Sequence, residues 1–281
     1  LGKVDLHIHS TASDGKYSPS KIVSLAKEKG LEIIALTDHD TFKGYFEARQ
    51  TGEEQGITVI PGAEITSLYN GRECHILAYD FDVKDPGFRE MIRHHKISRI
   101  KRAKWIIKQL RSKGLEIDID EVKAEARNAN VGRPHIAAVL IEKGYVAGFR
   151  EAFMRYLSDQ VLGNIKSEYY DYKEVLQAIR KAGGASVLAH PGLMYTEEEI
   201  QHFIKAGLDG IEYMHPSHNY ELQKHYEQFA EQHQLLATGG SDFHGNSNQQ
   251  LQNFGIITIS KSRVDNLMRM TRQRKKILTS G

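Results

Sequence analysis

The chain has 281 residues, of which 40% are apolar and 26% charged, with a formal net charge of +2. That is ordinary composition for a globular chain and enough length for one large α/β barrel or two small domains. No apolar run approaches the roughly 18–20 residues needed to span a bilayer, Leu1-Gly2-Lys3-Val4-Asp5 does not open a signal peptide, and the single cysteine, Cys74, excludes an internal disulfide and suits a reducing, cytoplasmic setting.

In chain order, Val4, Leu6 and Ile8 alternate with Asp5, His7 and His9. The period of two predicts a strand with both histidines on one face. Ser13-Asp14-Gly15 reads as a turn, and Ser18-Pro19 as an N-cap followed by proline at the first helical position. Ile22, Leu25 and Ala26 give that helix an apolar face, and Gly30 ends it. The unit then repeats. Ile33–Leu36 predicts a buried strand stopping at Thr37-Asp38-His39, a helix follows from Thr41 to Gln55, and Ile57–Ile60 predicts a strand running up to Glu64. A fourth strand spans His75–Tyr79, with His75 at its start or middle and therefore inward-pointing. Downstream, strands over Ala185–Ala189, Gly210–Tyr213 and Leu235–Thr238 lead to His190, to His215, and to Asp242 and His244. Helices are predicted at Tyr172–Ala182, Glu197–Ala206 and Asn219–His233. Alternating strands and helices point to a parallel sheet, and metal-ligand residue types at C-terminal strand ends point to a barrel. Residues 91–166 lack that rhythm and read as a mainly helical insertion; the barrel is then residues 1–90 and 167–281.

Taken singly, the polar residues have bland readings. Asp14 is a turn residue before glycine, Asp40 caps the next helix, and Glu64 is a loop charge. Jointly those readings require a ligand-type side chain at one strand end after another by accident. Imidazole and carboxylate together suit zinc, manganese or iron better than calcium. A bridging carboxylate, for which Glu64 is the candidate, lets two or three cations sit close together. Such clusters activate water and clamp an anionic oxygen, the chemistry of phosphoester hydrolysis.

Val4-Asp5-Leu6-His7-Ile8-His9-Ser10, Ser13-Asp14-Gly15 and Leu36-Thr37-Asp38-His39-Asp40-Thr41 closely resemble the polymerase-and-histidinol-phosphatase (PHP) family. Pro61-Gly62-Ala63-Glu64, Ala189-His190-Pro191 and Gly240-Ser241-Asp242-Phe243-His244 match its later motifs. The likeness is greatest to bacterial 3′,5′-nucleoside bisphosphate phosphatases, some of which are also 5′→3′ exonucleases on short RNA. The resemblance implies a distorted seven-stranded (β/α) TIM-like barrel around a trinuclear centre. His7, His9, Glu64 and Asp242 would hold one ion, Glu64, His75 and His190 the second, and Asp14, His39 and His244 the third. Many members carry histidine where Asp14 stands; aspartate favours a harder ion such as manganese over zinc.

In the insertion, Gly132-Arg133-Pro134-His135 starts a helix. The resembled phosphatases share this element, and there it helps hold the scissile phosphate; the resemblance implies that role for Arg133 and His135, which join Glu64 as catalytic candidates. His218, Ser13 and Tyr17 are further candidate substrate contacts. The stretch from Arg93 to Lys113 carries nine Lys or Arg and no acid, with Ile97, Ile100, Ile107 and Leu110 at helical spacing. It reads as an amphipathic helix with either a solvated face or a basic wall for polyanions, and Trp105 as packing or a stacking platform. The expected activity is removal of the 3′-phosphate from 3′,5′-bisphosphonucleotides, with trimming of short 5′-phosphorylated RNA beside it. The partners are then a nucleotide or short RNA, with no membrane and no obligate protein partner. The rivals are another small-molecule phosphatase, such as one for histidinol phosphate, and a non-catalytic RNA-binding protein with structural metals.

Overall fold

The computed structural model describes residues 2–127, 129–163 and 168–280. Two sheets, in a mixed α/β arrangement, form its centre. The first has strand order β3-β2-β1-β9, from β1 (Lys3–Ile8), β2 (Leu31–Leu36), β3 (Thr58–Ile60) and β9 (Ile259–Ser260). The second runs β4-β5-β6-β7-β8, from β4 (Gly62–Tyr69), β5 (Arg72–Tyr79), β6 (Ala185–Leu188), β7 (Gly210–Met214) and β8 (Leu236–Gly239). The sheets do not close into one continuous hydrogen-bonded barrel. They touch at two seams. Asp40 N–H donates to the Glu64 carbonyl at 2.8 Å, and His9 N–H to the Phe243 carbonyl at 2.8 Å. Both seams carry candidate ligands, so the site lies where the sheets meet.

The expected all-parallel order fails at the β1–β9 edge of the first sheet, which pairs antiparallel, and more fully in the second sheet. β4 pairs antiparallel with β5, and β5 antiparallel with β6. The cause is Asn70-Gly71, both in the left-handed region at φ 49° and 75°, the conformation a tight two-residue hairpin needs. Glu64 consequently lies inside a strand instead of at the end of one.

Helices cover the outer faces, and their sequences explain their starts. In α1 (Pro19–Glu28), Ser18 Oγ accepts from Lys21 N–H at 3.2 Å and Ile22, Val23 and Ala26 are buried. α2 spans Lys43–Gln55 and ends on Gly56. The long α3 (Pro86–Ser112) begins at the Asp85 cap, before the expected start of the insertion; the expected far boundary at 166/167 lies outside the described residues. Next come α4 (Ile119–Ala126), α5 (Arg133–Glu142), α6 (Phe149–Ala152), a π-helical turn Phe153–Leu157 and α7 (Asp159–Leu162). These share an apolar cluster of their own, including Ile106, Leu110, Val122, Ile136 and Leu157, and Trp105 packs against it. α8 (Tyr172–Lys181) and α9 (Glu197–Lys205) open on Asp171/Glu174 and Thr196/Glu199 capping boxes, in which each side chain satisfies the other residue's backbone N–H. α10 (Tyr220–Gln232), α11 (Asn248–Asn253) and α12 (Lys261–Ser280) complete the chain. Among the described residues, no helix is long and apolar enough to cross a membrane.

The basic stretch in α3 is divided. Arg99 and Arg102 are buried and face the sheets, whereas Ile97, assigned to the apolar face by spacing, is 54% exposed. Arg99 Nε meets Asp40 Oδ2 at 2.5 Å, and its Nη2 donates to Thr66 Oγ1 at 2.8 Å. Arg102 Nη2 meets Glu73 Oε2 at 2.5 Å. Two ion pairs therefore fasten the helical region to β5 and to the loop after β2.

Candidate metal centre

Alternation along the buried strand β1 aims His7 and His9 into the same space, β4 and β5 supply Glu64 and His75 from within the strands, and the loops after β1, β2, β6, β7 and β8 deliver the other groups. Glu64 is the hub. Its Oε1 lies 2.7 Å from His75 Nδ1 and 3.0 Å from His190 Nε2. Its Oε2 lies 3.4 Å from His7 Nε2, 3.2 Å from His9 Nε2 and 3.2 Å from His39 Nδ1. One carboxylate thus faces two separate sets of imidazoles with different oxygens. Asp242 Oδ1 stands 3.1 Å from His9 Nε2, and its Oδ2 is 3.3 Å from His215 Nε2. Asp14 lies 3.5 Å from His244 Nε2 and 3.7 Å from both His9 Nδ1 and His39 Nε2.

All nine expected ligands come together, though not wholly in the expected sets. The ligand atoms lie within 4.8 Å of one another in four groups: His9, Asp14, His39 and His244; His7, His215 and Asp242; His7, Glu64 and His190; His39, Glu64 and His75. The set Asp14, His39 and His244 gains His9. His75 and His190 fall in different groups, both with Glu64. His215 joins them from outside the expected set. Its signal was present, since it follows β7 as His190 follows β6 and Asp242 follows β8.

The donor set fits divalent cations on a structural ground. His9 Nδ1 and Nε2, His39 Nδ1, His75 Nδ1 and His215 Nε2 are buried without an aligned hydrogen-bond partner. A buried polar atom left unpaired is costly, and four such imidazoles, each with one lone-pair nitrogen when neutral, converging on carboxylates describe a cage for ions. His190 and Asp242 adopt left-handed φ values of 27° and 48°, strain that concentrates at functional positions. A Cβ on Gly240 would lie 2.3 Å from His7 N, so glycine there lets the loop after β8 approach β1.

A second layer orients these groups. Glu212, fully buried, takes His7 Nδ1 at 2.9 Å and accepts from His190 N–H at 2.7 Å. Asp5 accepts from the N–H groups of His7 and Ser241. Such carboxylates fix the ring orientation of metal-binding histidines. Glu212 was legible only as a polar residue in an apolar strand.

Without ions the cage is a coupled set of charges. Burial opposes charge on His9, but the Asp242 and Glu64 carboxylates outweigh it and push the imidazole up to about 10. Burial likewise opposes charge on His75, and Glu64 and Glu73 push it up to about 10. Burial prevails at His39, pulling it down to about 3 against the nearby Glu64 and Asp14. Burial would raise Glu64, Asp14 and Asp242, yet the surrounding imidazoles hold all three well below the usual carboxylate range.

The expected substrate contacts divide. Arg133, at the first turn of α5, lies 3.7 Å from Glu73 Oε1 and donates to the Leu157 carbonyl at 3.3 Å. Glu73 also meets His75 Nε2 at 3.3 Å, so Arg133 is one carboxylate away from the cage. His135 Nδ1 accepts from Gly132 N–H at 3.0 Å. Burial pulls His135 below the usual imidazole range, and Asp14 opposes that shift. Ser13 Oγ donates to Asp38 at 2.7 Å and so props the Asp14 turn from below. Tyr17 stacks on Phe243 with ring centroids 5.9 Å apart. His218 departs from the expectation of a phosphate contact. It is buried, its Nδ1 meets the Tyr213 carbonyl at 2.8 Å and its Nε2 accepts from Gly192 N–H at 3.1 Å. With both nitrogens engaged, it ties the loop after β7 to the loop after β6.

Comparison with known proteins identifies the family. Residues 5–245 match the family described as the PHP domain. A 5′-3′ exoribonuclease of Haemophilus influenzae is 36% identical over 248 residues, covering 86% of this chain and 90% of that protein. A 3′,5′-nucleoside bisphosphate phosphatase of Chromobacterium violaceum is 29% identical over 250 residues, covering 87% and 88%. A solved Bifidobacterium adolescentis structure, described as a metal-dependent phosphoesterase, superposes with a TM-score of 0.87 at 31% identity and covers 95% of this chain and 96% of that one. The chain belongs to the PHP domain family and is a metal-dependent phosphoesterase.

Proposed function

We propose that this PHP-domain phosphoesterase removes the 3′-phosphate of 3′,5′-bisphosphonucleotides, giving a 5′-mononucleotide and phosphate, and also trims short 5′-phosphorylated RNA. The observation that carries the reading is that Glu64 belongs to two ligand groups, one with His7 and His190 and one with His39 and His75, with its oxygens 2.7–3.4 Å from those imidazoles. That is the arrangement of a carboxylate shared between cations. Two or three divalent ions would supply an activated water and charge neutralisation at the phosphate oxygens. His7, His9, Asp14, His39, His75, His190, Asp242 and His244 would hold them with Glu64. Asp14, a hard oxygen ligand, favours manganese, with zinc and iron as alternatives. Arg133 offers a planar fork to a phosphate, and His135 adds a second donor beside Asp14. An arriving phosphate would compete with Glu73 for Arg133.

The named bisphosphate phosphatase and exoribonuclease relatives support nucleotide chemistry over histidinol phosphate. We read the two sheets as parts of a distorted barrel, with nine strands among the described residues where seven are expected, residues 91–166 as an insertion that supplies substrate contacts, and the single buried thiol as suited to a reducing cytoplasm.

The test is to incubate manganese-loaded protein with 3′,5′-bisphosphonucleotides, histidinol phosphate and 5′-phosphorylated short RNAs, and to follow phosphate and nucleotide products. The reading expects phosphate from the bisphosphonucleotide and no turnover by a well-folded Glu64→Ala protein. Preferred turnover of histidinol phosphate would overturn the substrate assignment. Salt-sensitive RNA binding that survives Asp242→Ala, with no product from any substrate, would favour the non-catalytic rival.

A further inference from the structure

We infer that the cleft between the first turn of α2 and the outer face of α3 is a second nucleotide subsite, holding a base and phosphate of a single-stranded oligonucleotide whose end occupies the metal centre. The inference rests on the phosphoesterase reading above and extends it to how a chain longer than one nucleotide is held.

The cleft has a volume of about 460 Å³, within the range of small-ligand sites. Phe46 and Ile92 supply its apolar surface, and Lys43, Arg89, Arg93 and Lys96 its charge. Phe46 is 51% exposed, with Phe42 and Tyr45 behind it at ring-centroid distances of 6.2 Å and 5.5 Å. A ring presented to solvent and backed by other rings is a rigid platform. The four cations are exposed, and only Arg93 has an ion-pair partner among the described residues, Glu90 on the same helix. Among the described residues the one carboxylate in the lining, Asp40, is turned inward onto Arg99, His95 and Thr66. The cleft is therefore positive without internal compensation.

An aromatic face ringed by solvated cations is what single-stranded nucleic acid requires: a surface for one base and charges for the backbone, independent of base identity. The position also fits. Asn130 lines the cleft, and its amide donates to the backbone carbonyls of His39 at 3.0 Å and Asp40 at 2.7 Å. The cleft thus begins one residue from the candidate ligand His39. A mononucleotide confined to the centre would leave it empty, and a longer chain could occupy both.

The test uses full-length, metal-loaded protein with two probes. One is a 3′,5′-bisphosphonucleotide, followed by phosphate release. The other is a 5′-phosphorylated pentaribonucleotide with hydrolysis-resistant phosphorothioate linkages and a 3′ fluorophore, followed by anisotropy. Phe46→Ala should weaken pentamer binding roughly 10-fold, with Phe46→Tyr restoring it. Lys43→Ala with Lys96→Ala should flatten the dependence of log Kd on log salt by about 0.7 for each phosphate that is no longer neutralised. kcat/KM for the bisphosphonucleotide should stay at the wild-type value in all of them. Pentamer binding within two-fold of wild type in both Phe46→Ala and the double variant would overturn the subsite. So would the absence of saturable pentamer binding by the wild type, or a parallel fall in bisphosphonucleotide turnover. Absence of phosphate release by the wild type, with pentamer binding still sensitive to Phe46, would instead count against the bisphosphatase reading alone.

Discussion

Arg99→Leu isolates the ion pair that joins the helical region to the metal centre. Asp40 is fully buried and receives Arg99 Nε at 2.5 Å, His95 Nδ1 at 2.9 Å and Thr66 N–H at 2.8 Å. Leucine keeps much of the volume but removes the charge, leaving a buried carboxylate short of its main partner. Breaking a buried pair from one side costs about 3–5 kcal/mol. At about 2 °C per kcal/mol for a chain of this length, Tm should fall by roughly 6–10 °C. Asp40→Asn combined with Arg99→Leu should recover much of that loss, because the uncompensated charge is gone. Denaturant titration of wild type, both single variants and the double variant gives the coupling energy. The pH dependence supplies a sign. Burial would raise Asp40, but Arg99 and His95 hold it well below the usual carboxylate range. Its stabilisation is therefore fully present above the unfolded carboxylate value of about 4 and is lost as pH falls towards the depressed folded value. The gap between wild type and Arg99→Leu should narrow on acidification below about pH 4. A stability change within about 1 kcal/mol at pH 7, or a double variant no more stable than Arg99→Leu, would refute the reasoning.

Three other outcomes follow from the same structure. Asp14→His should raise the ratio of zinc to manganese affinity, measured by competitive titration with a chromogenic chelator; an unchanged ratio would remove Asp14 from the ligand set. Loading the metal-free protein at pH 7 should release about three protons per chain, because neighbouring carboxylates hold His7 well above the usual imidazole range and His9 and His75 at about 10, and all three must lose a proton to bind a cation. Calorimetry in two buffers of different ionisation enthalpy measures that number, and identical apparent enthalpies would contradict it. Cys74 is buried, and burial pushes its thiol up to about 12. It should resist a disulfide thiol reagent at pH 8 in the native protein and react as one equivalent after unfolding; fast native labelling would show that β5 opens.

The sequence carried the ligands better than the strands. The period of two in Val4–His9 places both histidines on one face, and strand-end positions mark His39, His190 and Asp242 as a set. His215 was equally visible by that rule. The hairpin at Asn70-Gly71 was also legible, and it is what makes the second sheet mixed where strand–helix alternation predicts a parallel one. Long-range pairing was not legible. Asp40 has the local context of a helix cap, and its true partners His95 and Arg99 lie 55 and 59 residues away. Spacing alone could not tell that Arg99 and Arg102 turn inward while Ile97 turns out, because each arginine carries its own carboxylate on the sheet side. His218 resembles a substrate contact by position, but two backbone groups already satisfy its ring.

The central claim is that Glu64 is shared between cations. Crystals grown with manganese and measured at a wavelength giving strong manganese anomalous signal test it directly. The account predicts at least two anomalous peaks, each within about 2.0–2.3 Å of a different Glu64 oxygen, with imidazole nitrogens completing each shell. A single peak touching neither oxygen, or none inside the ring formed by His7, His39, His190 and Asp242, would contradict it.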